Sequence, residues 1–392
     1  MEEKDRYSKS QILLSEEVYD KGFQSPGGKG YANLLINNIK NDPKNILVFG
    51  CGTGGEVALL SYKYPNSSII AVDKSSNMID ICKTNLFYLT NVTFIQNDGT
   101  SSHSFGGAEQ FDLIWCRDVI LYIEQKQQLL INFNFWLKYS GQLIICDFGT
   151  NNYGKEIKDY CDDKSYHLIS MNAYIDILKK AEFIEIEEND NTNMFLTLNR
   201  GELFSFQENK STFILNNGLT MYNHFVARWK QKIVLSEMNQ FNYYYITCNK
   251  RKKHIYVNVA CDLFHYGHST LFKKIKEQFP NSILTVGICS DESIYKYKNK
   301  YPIFCLRERE ITIRDCKYVD ETLINVPINT TLDFINKHNI DFVAVSNEYT
   351  DDQVKEYYPD LDEDLLYKFN YTNTISSSNT LKRIKKYLLN HS

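Results

Sequence analysis

The chain reads as a succession of short apolar runs broken by polar and glycine-rich turns. Asn45 to Phe49, Ser68 to Val72, Val92 to Gln96, Phe111 to Cys116 and Gln142 to Cys146 are largely uninterrupted by charge. Such runs predict strands buried on both faces. Segments with helical spacing lie around them, among them Ala32 to Ile39, Glu56 to Tyr62 and Tyr174 to Lys179. The alternation predicts an α/β fold with a parallel sheet. A second series follows: strands at His254 to Val257, Ser282 to Cys289 and Asp341 to Val345, and helices at Ser269 to Phe279 and Thr330 to His338. Ile375-Ser376-Ser377-Ser378 opens a last helix with Leu381, Ile384 and Leu388 on one face. The two series predict two Rossmann-like domains, 1–248 and 254–392, joined by a basic linker at 249–253.

The strands of the first series run into polar residues. The first ends in Gly50-Cys51-Gly52-Thr53-Gly54-Gly55, the second in Asp73, the third in Asn97-Asp98, the fourth in Arg117-Asp118 and the fifth in Asp147. In a parallel sheet these ends gather at the ligand crevice. A glycine loop between strand and helix lets a backbone approach a nucleotide closely, and Asp73, 23 residues after Gly50, sits at the spacing of a ribose-binding acid. The loop alone also fits a dinucleotide enzyme. Upstream, Tyr7 to Gly28 is a candidate lid that ends in the turn Ser25-Pro26-Gly27-Gly28.

The glycine loop, with Asp73 and Asp98 at successive strand ends, resembles class I S-adenosylmethionine-dependent methyltransferases. The segments Phe111 to Tyr122 and Lys164 to Ser170 narrow the resemblance to phosphoethanolamine N-methyltransferases. It implies a methyltransferase sheet in which Gly50, Gly52 and Gly54 pass the methionine end of S-adenosyl-L-methionine. It further implies that Asp73 takes the ribose, that Asp98 takes the adenine amine, and that Ser25 and Asp118 complete the cofactor site. Tyr7 matches a catalytic tyrosine, 16 residues before Phe23. Tyr122 stands where the family has that tyrosine's histidine partner. Tyr166 matches a substrate-binding tyrosine, Lys164 replaces an arginine, Phe148 replaces a phosphate-binding tyrosine, and Val48 replaces an acid.

In the second series, Asp262-Leu263-Phe264-His265-Tyr266-Gly267-His268 lies between a strand and a helix. A helix N-terminus attracts phosphate, and two imidazoles there can donate to phosphate oxygens as charge develops during transfer. With Tyr297-Lys298 and Cys316 to Glu321, this stretch resembles the HxGH cytidylyltransferases that activate phosphocholine and phosphoethanolamine. The resemblance implies a nucleotidylyltransferase sheet, catalytic roles for His265, His268 and Lys298, with Lys298 on a polar loop, and substrate contacts from Asp262, Arg309, Ser376 and Ser377. The substrates implied are CTP with Mg2+ and a phosphorylated amino alcohol. Ser346 and Asn347 replace aspartates on the cytosine side, Ile328 a tryptophan, Val259 and Thr374 glycines, and Tyr371 an arginine.

Composition narrows the partners. The chain has 392 residues, 23% of them charged, and a net charge of −4, which provides no global basic field for nucleic acid. No apolar run approaches a bilayer span, the start MEEKDR is not a secretory signal, and the ten cysteines form no CxxC pair. A cytoplasmic protein without resident metal or membrane insertion is expected, with small phosphorylated amino alcohols as partners. A homodimer through the C-terminal domain is compatible with this. The expected function is methylation of such a phosphate plus transfer of CMP from CTP. Two alternatives stand beside it. One is a C-terminal domain that only binds or dimerises. The other is an aminoalkyl phosphonate or another small amine as substrate.

Overall fold

The computed structural model describes residues 9–391 except 40, 41, 100, 103, 106 and 371–374. Tyr7, Tyr371 and Thr374 lie outside the described residues. The chain divides into two compact units, Met1–Arg251 and Lys252–Ser392.

The first unit holds a seven-stranded sheet. Its strands are β1 (Asn45–Phe49), β2 (Ser68–Asp73), β3 (Val92–Gln96), β4 (Phe111–Arg117), β5 (Leu137–Gly149), β6 (Phe183–Asp190) and β7 (Asn242–Lys250). They lie in the order β3-β2-β1-β4-β5-β7-β6. All pairings are parallel except those of β7, which runs antiparallel between β5 and β6. Strand alternation sorts the apolar runs onto two faces. Ile46, Val48, Leu113, Trp115 and Ile144 pack on one side, and Leu47, Phe49, Ile114, Cys116 and Ile145 on the other. The strand order reverses between β1 and β4, so the crevice opens where Gly50 and Arg117-Asp118 leave the sheet.

A helical cap completes this unit. The helix Lys9–Tyr19 packs with Thr192–Glu208, Lys210–Asn217 and Leu219–Glu237 around Leu14, Phe206, Phe213, Tyr222, Phe225 and Trp229. The stacked Phe206 and Tyr222 rings lie at its centre.

The second unit has five parallel strands: β8 (His254–Val259), β9 (Ile283–Cys289), β10 (Glu321–Val326), β11 (Phe342–Ser346) and β12 (Leu366–Phe369). Their order is β10-β9-β8-β11-β12. The reversal falls between β8 and β11, and the HxGH segment follows β8 at that point. Asn249 and Lys250 belong to β7, paired with Gln142 and Phe183, so the expected linker 249–253 shrinks to the residues after Lys250. Lys298 closes the helix Asp291–Lys298 rather than lying on a loop. Among the described residues no helix is long and apolar enough to cross a membrane.

Candidate active sites

In the first unit a cavity of about 240 Å³ lies at the carboxyl ends of β1, β2 and β4. The glycine loop forms its floor. Gly50 has φ 75°, and a Cβ there would meet Val119 Cγ2 at 2.1 Å, so only glycine fits. Asp73 Oδ2 accepts the Gly52 N–H at 3.0 Å and Oδ1 the Ser75 N–H at 2.9 Å. Each oxygen keeps a lone pair for a hydroxyl. Burial pushes this carboxyl above its ordinary value, partly offset by those two backbone donors. Ser25, Gly50, Gly52, Asp73, Asp98, Asp118, Tyr122 and Tyr166 all line the cavity. Gly54 caps the helix Gly55–Lys63 behind the loop. Two buried polar atoms on these walls, Thr53 Oγ1 and Asp118 Oδ1, make no hydrogen bond. Groups of that kind call for a polar ligand, and an alcohol and a carboxylate suit the hydroxyls and amines of S-adenosyl-L-methionine.

The segment before the sheet forms one wall. Gly55 N–H donates to Gly22 O at 2.8 Å. The buried Arg117 donates to Pro26 O at 2.8 Å, to Glu56 Oε1 at 2.7 Å and to the Tyr243 hydroxyl at 3.1 Å. Phe148 stacks on Phe241 with centroids 4.5 Å apart and lines the cavity as an apolar surface. Tyr122 and Tyr166 meet edge to face at 5.2 Å. Burial, then Tyr122, raises the Tyr166 hydroxyl well above its ordinary value.

Lys164 is not among the residues that line the cavity, and its ammonium pairs with Asp163 at 2.5 Å. Instead, Arg228 and Lys232 of the helix Leu219–Glu237 do so, and sequence reasoning missed them. Lys232 is 8% exposed, and burial together with the Arg228 charge brings its ammonium down to about 8. It lies 5.7 Å from the centre of the Phe148 ring. The signal available was two cations four apart on a helix whose neighbours Phe225 and Trp229 are apolar.

In the second unit a cavity of about 370 Å³ lies beside β8 and β11. His265 caps the helix Tyr266–Gln278. Its Nδ1 accepts the Gly267 N–H at 3.2 Å, and its own N–H donates to His268 Nδ1 at 3.3 Å. A side chain at Gly267 would crowd the His265 ring at 2.9 Å. With each Nδ1 accepting, the neutral rings carry their protons on Nε2, and His265 Nε2 is buried without a partner. Burial, and after it the neighbouring His265 imidazole and Lys298 ammonium, hold His268 down to about 4. His268, Lys298, Ser376 and Ser377 line the cavity. Ser377 Oγ donates to Asp262 O.

Two expected substrate contacts are architectural. Asp262 lines the cavity, but its carboxylate accepts the N–H groups of Ile303 and Phe304 at 3.0 and 3.1 Å. Arg309 is 1% exposed and is absent from the lining. Its guanidinium donates to Phe304 O, Ala260 O, Cys289 O and Asp291 Oδ1. Ser346 and Ile328 line the cavity together with Tyr297, Tyr349, Tyr357 and Tyr358. The hydroxyls of Tyr297 and Tyr357 bond at 2.6 Å. Among the described residues no group of three or more His, Cys, Asp or Glu side chains is placed to hold a metal ion.

Comparison with known proteins follows the same division. A methyltransferase-domain family model matches residues 40–200, and a cytidylyltransferase-like model matches residues 260–382. Phosphoethanolamine N-methyltransferase 1 of Arabidopsis thaliana is 30% identical over 232 residues, 58% of this chain and 47% of that protein. The chain therefore spans about half the length of this relative. Choline-phosphate cytidylyltransferase 2 of the same plant is 40% identical over 94 residues, 24% of this chain and 31% of that protein. The Haemonchus contortus phosphoethanolamine N-methyltransferase 2, solved with phosphomonomethylethanolamine and S-adenosylhomocysteine, shares the fold. Its TM-score is 0.60 at 22% identity, covering 64% of this chain and 59% of that one. The N-terminal region thus matches phosphoethanolamine N-methyltransferases, and the C-terminal region matches the cytidylyltransferase-like domain of choline-phosphate cytidylyltransferases.

Proposed function

We propose that the first unit methylates the amine of a small phosphorylated amino alcohol of the phosphoethanolamine type, with S-adenosyl-L-methionine as donor. The observation that carries this is Lys232. Its side chain is buried at the cleft beside Arg228, yet among the described residues no hydrogen bond or ion pair reaches its ammonium. Burial and the Arg228 charge disfavour that ammonium, and the Asp118 and Glu202 carboxylates offset this only in part, so a substrate phosphate would add the anion that two neighbouring cations call for. The bound cofactor supplies an electrophilic methyl on sulfonium. With the cofactor held by Asp73 and the glycine loop, transfer to the amine would break the carbon–sulfur bond as the nitrogen–carbon bond forms, the electron pair going to sulfur. The amine sheds its proton first, since an alkylammonium of pKa about 10 has no lone pair. In this reading Asp118, which lines the cleft with Oδ1 buried and unbonded, accepts that proton. Tyr122 orients the amine with Tyr166, and Tyr7 completes the set in this reading.

For the second unit we propose transfer of CMP from CTP, carried with Mg2+, to a phosphocholine- or phosphoethanolamine-like phosphate, with pyrophosphate leaving. His265 and His268 offer Nε2 donors to the triphosphate, and Lys298 neutralises charge at the transferred phosphorus. The lining by Ser346 and Ile328 favours a second reading, in which this unit binds a ligand without turning it over. One phosphorus NMR time course tests both. S-adenosyl-L-methionine, phosphoethanolamine, CTP and Mg2+ are mixed with the protein. New phosphomonoester resonances report methylation, and a diphosphate doublet with free pyrophosphate reports transfer. An unchanged phosphoethanolamine signal refutes the first proposal. Methylation without pyrophosphate, also when phosphocholine is added, selects the binding reading.

A further inference from the structure

Beneath the methyltransferase cleft lies a buried pair that the reaction as described does not use. Asp147 lies two residues before the end of β5 and is fully buried. Its Oδ2 accepts the Leu121 N–H at 2.8 Å, with the Tyr174 hydroxyl at 3.4 Å, and its Oδ1 accepts the Phe148 N–H at 2.7 Å. Lys126 is 5% exposed, and its ammonium donates to Ile120 O and Ile123 O, each at 2.6 Å. His167 N–H takes Leu121 O at 2.7 Å. The short 3-10 turn Ile120–Tyr122 is therefore held at three of its backbone atoms, and at the Ile123 carbonyl that follows it, by groups outside it.

That turn carries Tyr122 and follows Asp118, which adopts φ 54°, and both line the cleft. The other arm of Asp147 fixes Phe148 on the same cleft. We infer that Asp147 and Lys126 are positioning residues for methyl transfer: a buried clamp that sets Asp118, Tyr122 and Phe148 against the reacting amine. The inference rests on the methyltransferase reading above. A displacement of about 1 Å at a reacting centre costs up to about a hundredfold in rate, which is why such a clamp matters far beyond its contribution to stability.

The charges on the pair support the assignment. Burial and the Asp118 carboxylate raise Asp147 to about 7, and Lys126 opposes that rise. Burial lowers Lys126 to about 8, opposed by Asp147. The other titratable groups facing Asp147 are the Tyr174 hydroxyl and the Cys116 and Cys146 thiols, all raised by burial and neutral at these pH values. Ionisation of Asp147 strengthens its hold on the Leu121 N–H, so the clamp tightens as pH rises through about 7.

The test uses the full chain with Asp147→Asn, and with the double variant Asp147→Asn, Lys126→Met. Each of the two charges acts on the other across the turn, so removing both leaves neither buried without the opposing field, and the double variant covers a single variant that fails to fold. Hydrogen exchange over residues 118–123 should rise in the variants while the glycine loop 50–55 keeps its protection. With phosphoethanolamine, kcat should fall by about tenfold or more, and the rise in kcat near pH 7 should move or vanish. Unchanged exchange at 118–123 overturns the clamp. Raised exchange with wild-type kcat and pH profile overturns its positioning role. If the wild-type chain methylates no phosphorylated amine, the proposed function fails by itself, and the exchange result still decides whether the clamp exists.

Discussion

The backbone N–H of His265 donates to Nδ1 of His268 at 3.3 Å, and the two imidazoles stack with centroids 4.0 Å apart. The capping bond of one helix thereby fixes the tautomer of a side chain in its first turn. His268 is left with Nε2–H as its only free donor. His265 is in the same condition, because the Gly267 N–H occupies its Nδ1. Local helix-capping physics thus leaves two neutral N–H donors at the start of this helix, of which His268 lines the cavity, without a protonation event.

From this, His265→Ala or His268→Ala should each lower pyrophosphate release by about a hundredfold, the scale of one lost charge-stabilising donor. Because burial holds His268 down to about 4, the ring stays neutral throughout the working range. The release rate should show no His268-dependent limb near the ordinary histidine pKa of about 6.5. A limb near that pH that disappears in His268→Ala would show an imidazolium acting instead.

Lys232→Met should raise KM for the phosphorylated amine about ten- to a hundredfold, the worth of a charge-assisted hydrogen bond, and leave cofactor affinity unchanged. The same substitution should stabilise the ligand-free protein. The folded-state value near 8 lies below the unfolded value of about 10.4. The penalty is therefore fully present below about pH 8 and fades as pH rises towards the unfolded value. Thermal melts should show a larger gain for Lys232→Met at pH 7 than at pH 9.5. A loss of stability at pH 7 would mean that the ammonium has a partner.

Arg117 joins Glu56 at 2.7 Å with only 2% of its side chain exposed, and the Trp115 indole donates to the same carboxylate at 2.6 Å. Arg117→Met leaves Glu56 without its cation and frees Pro26. A cost of about 3–5 kcal/mol in denaturant unfolding is expected, as for other broken buried pairs. Cofactor binding should also weaken, because the wall at 22–26 loses its anchor. Unfolding within about 1 kcal/mol of wild type would place this pair among the weak surface bridges.

What could be read from the sequence was what is local. Continuous apolar runs such as Asn45–Phe49 have no stable home except a strand covered on both faces, and Gly50 needs the positive φ that its turn imposes. The HxGH spacing puts both histidines in one helical turn. What depends on long-range packing was hidden. Nothing in the run at 242–250 states that it inserts antiparallel between β5 and β6. Arg228 and Lys232 sit in a sequence that reads as an ordinary amphipathic helix, and only the fold of the cap turns them to the cleft. Lys164 shows the converse: the position matching the family's arginine pairs with Asp163, outside the lining.

Arg309 separates architecture from catalysis most sharply. Its position in the sequence suggested that it fixes either the next helix or the phosphates, and its donors reach three backbone carbonyls, at Ala260, Cys289 and Phe304, and one carboxylate, Asp291. These acceptors end β9, follow β8 and precede the helix Leu306–Arg314, so one planar guanidinium ties three chain segments together. Lysine carries the same charge but gathers its donors at a single point and cannot reproduce the fork. Arg309→Lys should therefore destabilise the second unit by about 2–4 kcal/mol, through orphaned buried carbonyls and an unpaired Asp291. In the fraction that remains folded, KM for the nucleoside triphosphate should stay within about threefold of wild type, since no substrate atom is touched. Denaturant unfolding and pyrophosphate-release kinetics on the same preparation decide the matter. A large rise in KM at unchanged stability would return Arg309 to the substrate site. A loss of stability with KM preserved assigns it to the scaffold that holds His265 and His268 in place.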